Sequence, residues 1–349
     1  MDKQYLTFEP TTAIDESIDM LSPDRVLIVT DSNVRNKVFP LLSESNILQE
    51  TPVVEIPIGE DGKNLETAGK VWEKLEEIGA TRNSVVLNIG GGVVTDLGGF
   101  AASTFKRGIR TVNFPTTLLG AVDAATGGKT GINFKGLKNE IGSFHQPSRV
   151  IISPLPFSTL PDSEILSGYA EMVKTGLISD RDLYIRLLDI DKVLSESNEL
   201  GHLVEKCVRV KEEVVAQDPH EQGLRKILNF GHTAGHAIES LCLSRDQEIT
   251  HGKAVAHGML VALILSHIKL GFNSGEVDYY RRFLRENYGL PPVGCKDTDI
   301  LIGKMKSDKK NRNYGQPLFT LLKDIGAPQI NVEVEEEEIR EALEIMQGI

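Results

Sequence analysis

The amino-acid sequence predicts an α/β protein in which a Rossmann-like nucleotide-binding domain with a largely parallel sheet precedes an all-α domain. Three observations support this. Short apolar runs alternate with helical stretches as far as Pro154, one of those runs ends in three consecutive glycines, and beyond Pro161 the pattern changes to long helical periodicity. Alternating strand and helix implies parallel strands, because each strand must return across the sheet through a covering helix.

In chain order, "RVLIVT", "PVVEIPI", "SVVLNIGGG", "RTVNFPTT" and "RVIISP" read as strands, short, β-branched and bounded by turn residues. Between them "NLETAGKVWEKLEEIGA" and "DLGGFAASTF" carry helical spacing, the second helix beginning near Asp96. The stretch "SPLPFSTLPDSE" interrupts the alternation and marks a boundary, giving domains of residues 1–155 and 156–349. A chain of 349 residues exceeds the usual size of one core, which also favours two domains. Strand signal returns only at "PLFTLL", and the tail "VEVEEEEIREALEIM" predicts a surface helix with a solvated acidic face.

A formal charge of −12 makes the average surface repel nucleic acid and anionic membranes, so neither is an expected partner. A local group of lysines and arginines can still outweigh that field around a phosphorylated ligand. No run of about 18 uncharged apolar residues occurs, and "MDKQYLTFEP" lacks the apolar centre of a signal peptide, so a cytoplasmic location is expected. Cys207, Cys242 and Cys295 are far apart and outside any CxxC pattern, and are expected to be buried thiols.

Two stretches carry candidate chemistry. In "VVLNIGGGVVTDLGGFAAS" a strand runs into Gly90, Gly91 and Gly92 and then a helix, an arrangement that lets backbone N–H groups approach a pyrophosphate, although the strict GxGxxG fingerprint is absent. Ligands sit beyond the carboxyl ends of parallel strands, so Asp31, Asn33, Glu60, Lys63, Asp96, Thr116 and Thr117 are expected to gather on one edge. Taken singly, each is more often a cap or turn residue.

In "EQGLRKILNFGHTAGHAIESL", read as one helix at about 100° per residue, Glu221, Arg225, Asn229, His232 and His236 form a single polar stripe. Ile227, Phe230, Ala234, Ala237, Ile238 and Leu241 form the opposite apolar face, with "AIE" turning into the helical core. A lone histidine is more often a satisfied core or surface residue than a ligand. A stripe holding an acid, a guanidinium, an amide and two imidazoles fits a polar cleft better, because burying it elsewhere would need partners for every group. His251 begins the next helical pattern, and Glu171 and Lys174 lie three apart among small and apolar neighbours that suggest burial. A catalytic zinc takes three protein ligands and keeps one position open, which Glu171 with two of His232, His236 and His251 would satisfy. A zincin site is excluded, since Thr233 stands where HExxH needs glutamate.

The chain resembles the 3-dehydroquinate synthase family over nearly its whole length. The resemblance rests on "GGGVVTDLGGFAASTFKRGI", "FPTTLLGAVDAATGGKTGIN", "LKNEIGSFHQP", "LPDSEILSGYAEMVKTGLI", "LNFGHTAGHAIE", "HGKAVAHGM" and "SDKKNR". It implies one tightly held NAD and one divalent metal, zinc or cobalt, with Glu171, His232 and His251 as the ligands and His236 facing the substrate. The implied NAD contacts are Asp31, Asn33, Ile58, Gly59, Glu60, Asp61, Gly62, Lys63, Gly92, Val93, Val94, Thr95, Asp96, Thr116, Thr117 and Asp123, with Lys129, Lys138 and the turn of Phe157, Ser158 and Thr159. The implied substrate contacts are Lys129, Lys138, Asn139, Lys174, Lys211, Arg225, Asn229, His236 and either Lys310 or its neighbour Lys309. Arg107 matches a position that reaches the phosphate of a neighbouring subunit, which implies a homodimer. "IGEDGK" and "KGLKN" depart from the commoner family forms and affect local cofactor contacts at most.

The implied reaction, a carbon–oxygen lyase step of the shikimate pathway, converts 3-deoxy-arabino-heptulosonate 7-phosphate to 3-dehydroquinate and phosphate. Hydride leaves C5 for NAD, phosphate is eliminated once the C6 proton is acidified, hydride returns, and ring opening with aldol closure gives the carbocycle. Sugar phosphate cyclases with 2-deoxy-scyllo-inosose or valiolone-type products are the nearest rival. Their substrates lack the carboxylate, and the presence of Lys211, Arg225 and Lys310 favours the dehydroquinate reading. A metal-dependent polyol dehydrogenase would accumulate NADH, and a non-enzymatic metal-binding scaffold would leave the glycine turn and the lysines unexplained.

Overall fold

The computed structural model describes residues 4–307 and 317–348. By packing, the chain divides into two compact units, Met1–Pro161 with Leu194–Arg209, and Asp162–Val193 with Val210–Ile349. The excursion Leu194–Arg209 has no counterpart in the sequence reading. It joins the first unit, where the His202 ring meets Phe8 edge-on at 6.0 Å.

The first unit contains strands β1 (Gln4–Leu6), β2 (Val26–Asp31), β3 (Val53–Ile56), β4 (Val85–Gly90), β5 (Arg110–Pro115), β6 (Lys129–Phe134), β7 (Leu137–Phe144) and β8 (Arg149–Ile152). Its helices are α1 (Pro10–Leu21), α2 (Ser32–Lys37), α3 (Asn46–Glu50), α4 (Leu65–Glu77) and α5 (Gly92–Thr104). Six strands form one parallel sheet in the order β1-β8-β5-β4-β2-β3. All five strands expected from apolar runs are present. The sequence reading missed β1, which is only three residues long, and the antiparallel hairpin β6–β7. β4 is buried along its whole length because helices cover both faces of the sheet. Leu27, Val29, Val86 and Leu97 pack on one face, while Ile28, Val85, Leu87, Ile89 and Phe114 pack on the other. From β2 the chain moves outward to β3, then crosses back to β4 and on to β5. Asp31 and Gly90 therefore end neighbouring strands at the point where the winding reverses, the place where open α/β sheets bind ligands.

The second unit is helical: α6 (Asp162–Ser179), α7 (Arg181–Leu187), α8 (Ile190–Ser195), α9 (Ser197–Gln217, which spans the division), α10 (His232–Leu243), α11 (His251–Leu270), α12 (Ser274–Tyr288), α13 (Thr298–Lys306) and α14 (Glu336–Gln347). It is not all-α, because β9 (Leu318–Leu322) and β10 (Pro328–Glu333) form an antiparallel hairpin at the place where "PLFTLL" signalled a strand. α11 is the hub, packing against α6, α10, α12, α14 and β9. By length and composition it could cross a bilayer, but 72% of that stretch is buried inside the protein, which makes it a core helix. The tail forms α14, buried through Ile339, Ala342, Leu343 and Met346 as its periodicity predicts. Cys207 and Cys242 are buried, whereas Cys295 is exposed, contrary to expectation, because it opens a short 3₁₀ turn.

Candidate active site

In the first unit the glycine-rich turn leads directly into α5, which starts at Gly92, one turn earlier than the sequence reading placed it. Glycines lower helix propensity and masked the true start. No side chain caps this end, and the first N–H groups of any helix lack intrahelical partners, so Gly92, Val93 and Val94 present donors to an anion. Asp96 then lies one turn inside α5. Lys63, 2% exposed, donates to Asp96 Oδ2 at 2.5 Å and to Asn139 Oδ1 at 2.6 Å. The missed hairpin explains the contact with Asn139. Asn133 on β6 donates to Glu60 Oε2 at 2.9 Å and accepts from the Asn139 backbone N–H, tying the segment of Glu60 to Lys63 to the hairpin. Sequence reasoning did not single out Asn133, and its "GIN" context carries no distinguishing pattern.

Other expected cofactor residues have structural work as well. Asp31 caps α2 by accepting from the Val34 N–H, Thr117 accepts from the Gly120 N–H, Thr95 donates to the Gly92 carbonyl, and the Thr116 N–H reaches the Gly90 carbonyl. Ser158 and Thr159 donate to carbonyls of their own turn, whose Phe157 is buried. Asn33, Ile58, Gly59 and Asp61 lie on exposed loops or first turns, Asp123 lies in the short π-helical turn after β5, and Lys129 and Lys138 are exposed on the hairpin. Lys106 and Arg107 adopt left-handed backbone angles (φ 49 and 70), a costly pair for non-glycine residues in the turn before β5.

The second unit assembles the polar stripe, although not on one helix. Leu224–Asn229 is a 3₁₀ helix, Gly231 takes φ 77, and α10 starts afresh at His232. Glycine tolerates that left-handed angle and so breaks the period that the stripe assumed. The apolar face is as expected, with Ile227, Phe230, Ala234, Ala237, Ile238 and Leu241 all buried. Glu239 departs from it and points to His251, not into the core.

Glu171 and Lys174 lie in α6, 2% and 3% exposed, and Lys174 Nζ donates to Glu171 Oε2. Glu171 Oε1 is buried and, among the described residues, accepts no hydrogen bond. It lies 3.6 Å from His232 Nε2 and 3.7 Å from His251 Nε2. Two ligand atoms about 2.1 Å from a tetrahedral metal are about 3.4 Å apart, so Glu171 Oε1 stands near ligand spacing from each of the two nitrogens. His236 belongs to the same cluster: His232, His236 and His251 offer ligand nitrogens that all lie within 4.8 Å of one another, and the His236 ring meets His232 edge-on with centroids 5.2 Å apart.

Burial raises the Glu171 carboxyl, but the positive charge of Lys174 and the neighbouring imidazoles outweigh it and hold the group well below the usual carboxylate range. Burial and Lys174 push His232 well below its ordinary value, keeping its imidazole neutral. Burial opposes charge on His251, yet attraction to Glu171 and Glu239 prevails and raises it to about 10. An ionised carboxylate between two imidazole nitrogens, deeply buried and with one oxygen unpaired, is a donor set suited to a divalent cation.

Further substrate candidates lie in the second unit. Lys211 and Arg225 are buried cations, 7% and 4% exposed. Arg225 donates to the Pro219 carbonyl at 2.7 Å, and its backbone N–H is received by Asp218. Asn229 donates to Glu221 Oε1 at 2.6 Å, pairing two residues of the stripe across the 3₁₀ turn. Lys309 and Lys310 lie outside the described residues.

The fold, with a glycine-rich turn at the winding reversal of one unit and a histidine–carboxylate cluster in a helical second unit, is like that of solved sugar phosphate cyclases. Over 100% of this chain and 97% of theirs, the fold matches 2-epi-5-epi-valiolone synthase from Streptomyces hygroscopicus, solved with NAD and zinc bound, with a TM-score of 0.86 and 27% identity. A 2-deoxy-scyllo-inosose synthase solved with NAD and cobalt gives a TM-score of 0.83 at 24% identity over 98% and 96%, a likeness of fold. Residues 53–167 match the 3-dehydroquinate synthase N-terminal family and residues 168–311 its C-terminal family. The 3-dehydroquinate synthase of Parabacteroides distasonis is 45% identical over 95% of this chain and 94% of its own, and that of Thermococcus kodakarensis is 40% identical over 97% and 94%. The chain belongs to the 3-dehydroquinate synthase family.

Proposed function

We infer that the protein carries out its family's reaction, converting 3-deoxy-arabino-heptulosonate 7-phosphate to 3-dehydroquinate and phosphate with NAD and one divalent metal. The observation that carries this reading is the unpaired, buried Oε1 of Glu171 facing Nε2 of both His232 and His251. When bound, NAD supplies a reversible hydride acceptor and the metal supplies Lewis acidity towards vicinal hydroxyls. Glu171, His232 and His251 are the proposed metal ligands. Lys174 keeps Glu171 ionised, and His236, one turn along α10, faces the substrate. Lys211, Arg225, Asn229 and Lys310 are assigned to the carboxylate, hydroxyls and phosphate, where buried cations position an anion without reorganising. Lys129, Lys138 and Asn139 on the hairpin are likewise assigned as substrate contacts. Residues 1–155 form the proposed NAD-binding part and residues 156–349 the metal- and substrate-binding part.

The decisive experiment supplies the heptulosonate phosphate, catalytic NAD and zinc or cobalt, and follows phosphate and dehydroquinate. Net NADH accumulation, or turnover of hexose phosphates in its place, refutes the reading. A homodimer in which the strained Arg107 reaches the partner's substrate phosphate is proposed as well, as is a cytoplasmic location. Sedimentation of the holoenzyme as a monomer would remove the former.

Asp96 makes the nucleotide part pH-sensitive. Burial raises its carboxyl to about 6 from 3.8, against the pull of Lys63 and with help from Glu60 and Asp123. The native state therefore holds a proton between those values that the unfolded chain has released. The stabilising contribution is complete below 3.8 and disappears as the pH rises through 6. At about 1.4 kcal/mol per pKa unit this amounts to about 3 kcal/mol. Relative to Asp96→Asn, wild-type protein without NAD is expected to lose about that much stability between pH 4 and pH 7 in urea unfolding. Parallel pH profiles for the two proteins would disprove the assignment.

A further inference from the structure

The two imidazoles that face Glu171 are held in different ways. His232 Nδ1 lies 3.1 Å from the Phe230 carbonyl, a neutral acceptor supplied by the turn at Gly231. His251 Nδ1 lies 3.1 Å from Glu239 Oε2, an anionic acceptor on α10. Glu239 follows His232 by seven residues and His236 by three, so all three share one face of α10, and α11 lays His251 across it. The Glu239 side chain is 13% exposed and that of His251 28%. Thr250 caps α11 by accepting from the Lys253 N–H, which fixes the turn that carries His251.

Building on the metal reading above, we propose that Glu239 is a positioning residue for the metal centre: it holds His251 as the Nδ1–H tautomer, aims Nε2 at the cation, and makes His251 the stronger imidazole donor. A hydrogen bond from Nδ1–H leaves the lone pair on Nε2, the atom that faces Glu171 Oε1. A carboxylate acceptor adds electron density to the ring that a carbonyl acceptor does not, and such partners typically contribute 10–100-fold in metal affinity. The centre therefore has one imidazole oriented by the backbone and one by a removable charge.

The test measures zinc and cobalt affinity of chelator-stripped protein by competition with a chromophoric chelator, with no turnover involved. Glu239→Ala is expected to weaken affinity by about 10–100-fold. Glu239→Gln keeps an acceptor oxygen and loses the charge, so it should fall between alanine and wild type, and the visible absorption of its cobalt form should shift from that of the wild type. Glu171→Ala serves as the reference for the metal reading itself. If wild type binds no more metal than Glu171→Ala, the metal reading has failed and the proposal with it. If Glu171→Ala loses the metal but both Glu239 variants bind within twofold of wild type, the metal reading stands and the role of Glu239 is overturned. A lower melting temperature of the metal-free Glu239 variants with unchanged affinity and cobalt spectrum would likewise make Glu239 merely structural and overturn the proposal.

Discussion

Replacing Glu171 with alanine is expected to abolish metal retention and activity together. Its Oε1 lies 3.6 Å from His232 Nε2 and 3.7 Å from His251 Nε2. Outer partners of a ligand are already worth 10–100-fold in affinity, so losing a ligand should cost at least about a hundredfold. The change also strands the Lys174 ammonium, which is 3% exposed, and leaving one partner of a buried pair alone costs about 3–5 kcal/mol. Glu171→Gln separates the two effects, since the amide oxygen can still accept from Lys174 while the neutral group is a poor ligand. Metal content after gel filtration, with melting of the stripped proteins, measures both. Full activity of Glu171→Ala in metal-free buffer would refute the assignment.

Gly252→Ala should be nearly as damaging, for a different reason. A Cβ at Gly252 would run into the Ser167 carbonyl, whose carbon would lie 2.5 Å away, and both obstructing groups are backbone. The Gly252 N–H also donates to Ser167 Oγ at 3.0 Å, so α6 and the first turn of α11 meet at this point. Pushing them apart moves His251, the adjacent residue, away from Glu171 one turn further along α6. Overpacking of this kind costs about 1–3 kcal/mol. Metal affinity is expected to fall at least tenfold, since ligand spacing is disturbed directly. Gly303→Ala on α13 is the matched control. Nothing lies within 4 Å of its Cβ, so it should be neutral or stabilising by up to about 1 kcal/mol. If chelator competition finds wild-type affinity in Gly252→Ala, the ligands do not depend on this helix contact.

Much of the sheet could be read from the chain because its strands are buried on both faces and stand out as continuous apolar runs, as in "VVLNIG". β1 and the hairpin β6–β7 could not. β1 is three residues long, and β7 is largely exposed, so neither shows an apolar period. That omission hid the contact between Lys63 and Asn139, which join across 76 positions. The helical half was readable in its apolar face and misread in its continuity. Gly231 at φ 77 ends one helical piece and α10 begins another, a break that spacing on an ideal helix cannot reveal.

Residue chemistry along the chain was enough to single out an acid, imidazoles and lysines as a candidate site, because such groups are expensive to bury without a task. It was also enough to choose the fold class, since strand and helix periods are local properties. Which nitrogens face Glu171, that Glu239 backs His251, and that Asn139 reaches Lys63 depended on helices and hairpins meeting in space. Those contacts join residues 12 to 80 positions apart, and a distance of 2.6–3.7 Å between such residues is set by helix crossing and strand pairing, for which one-dimensional spacing holds no term.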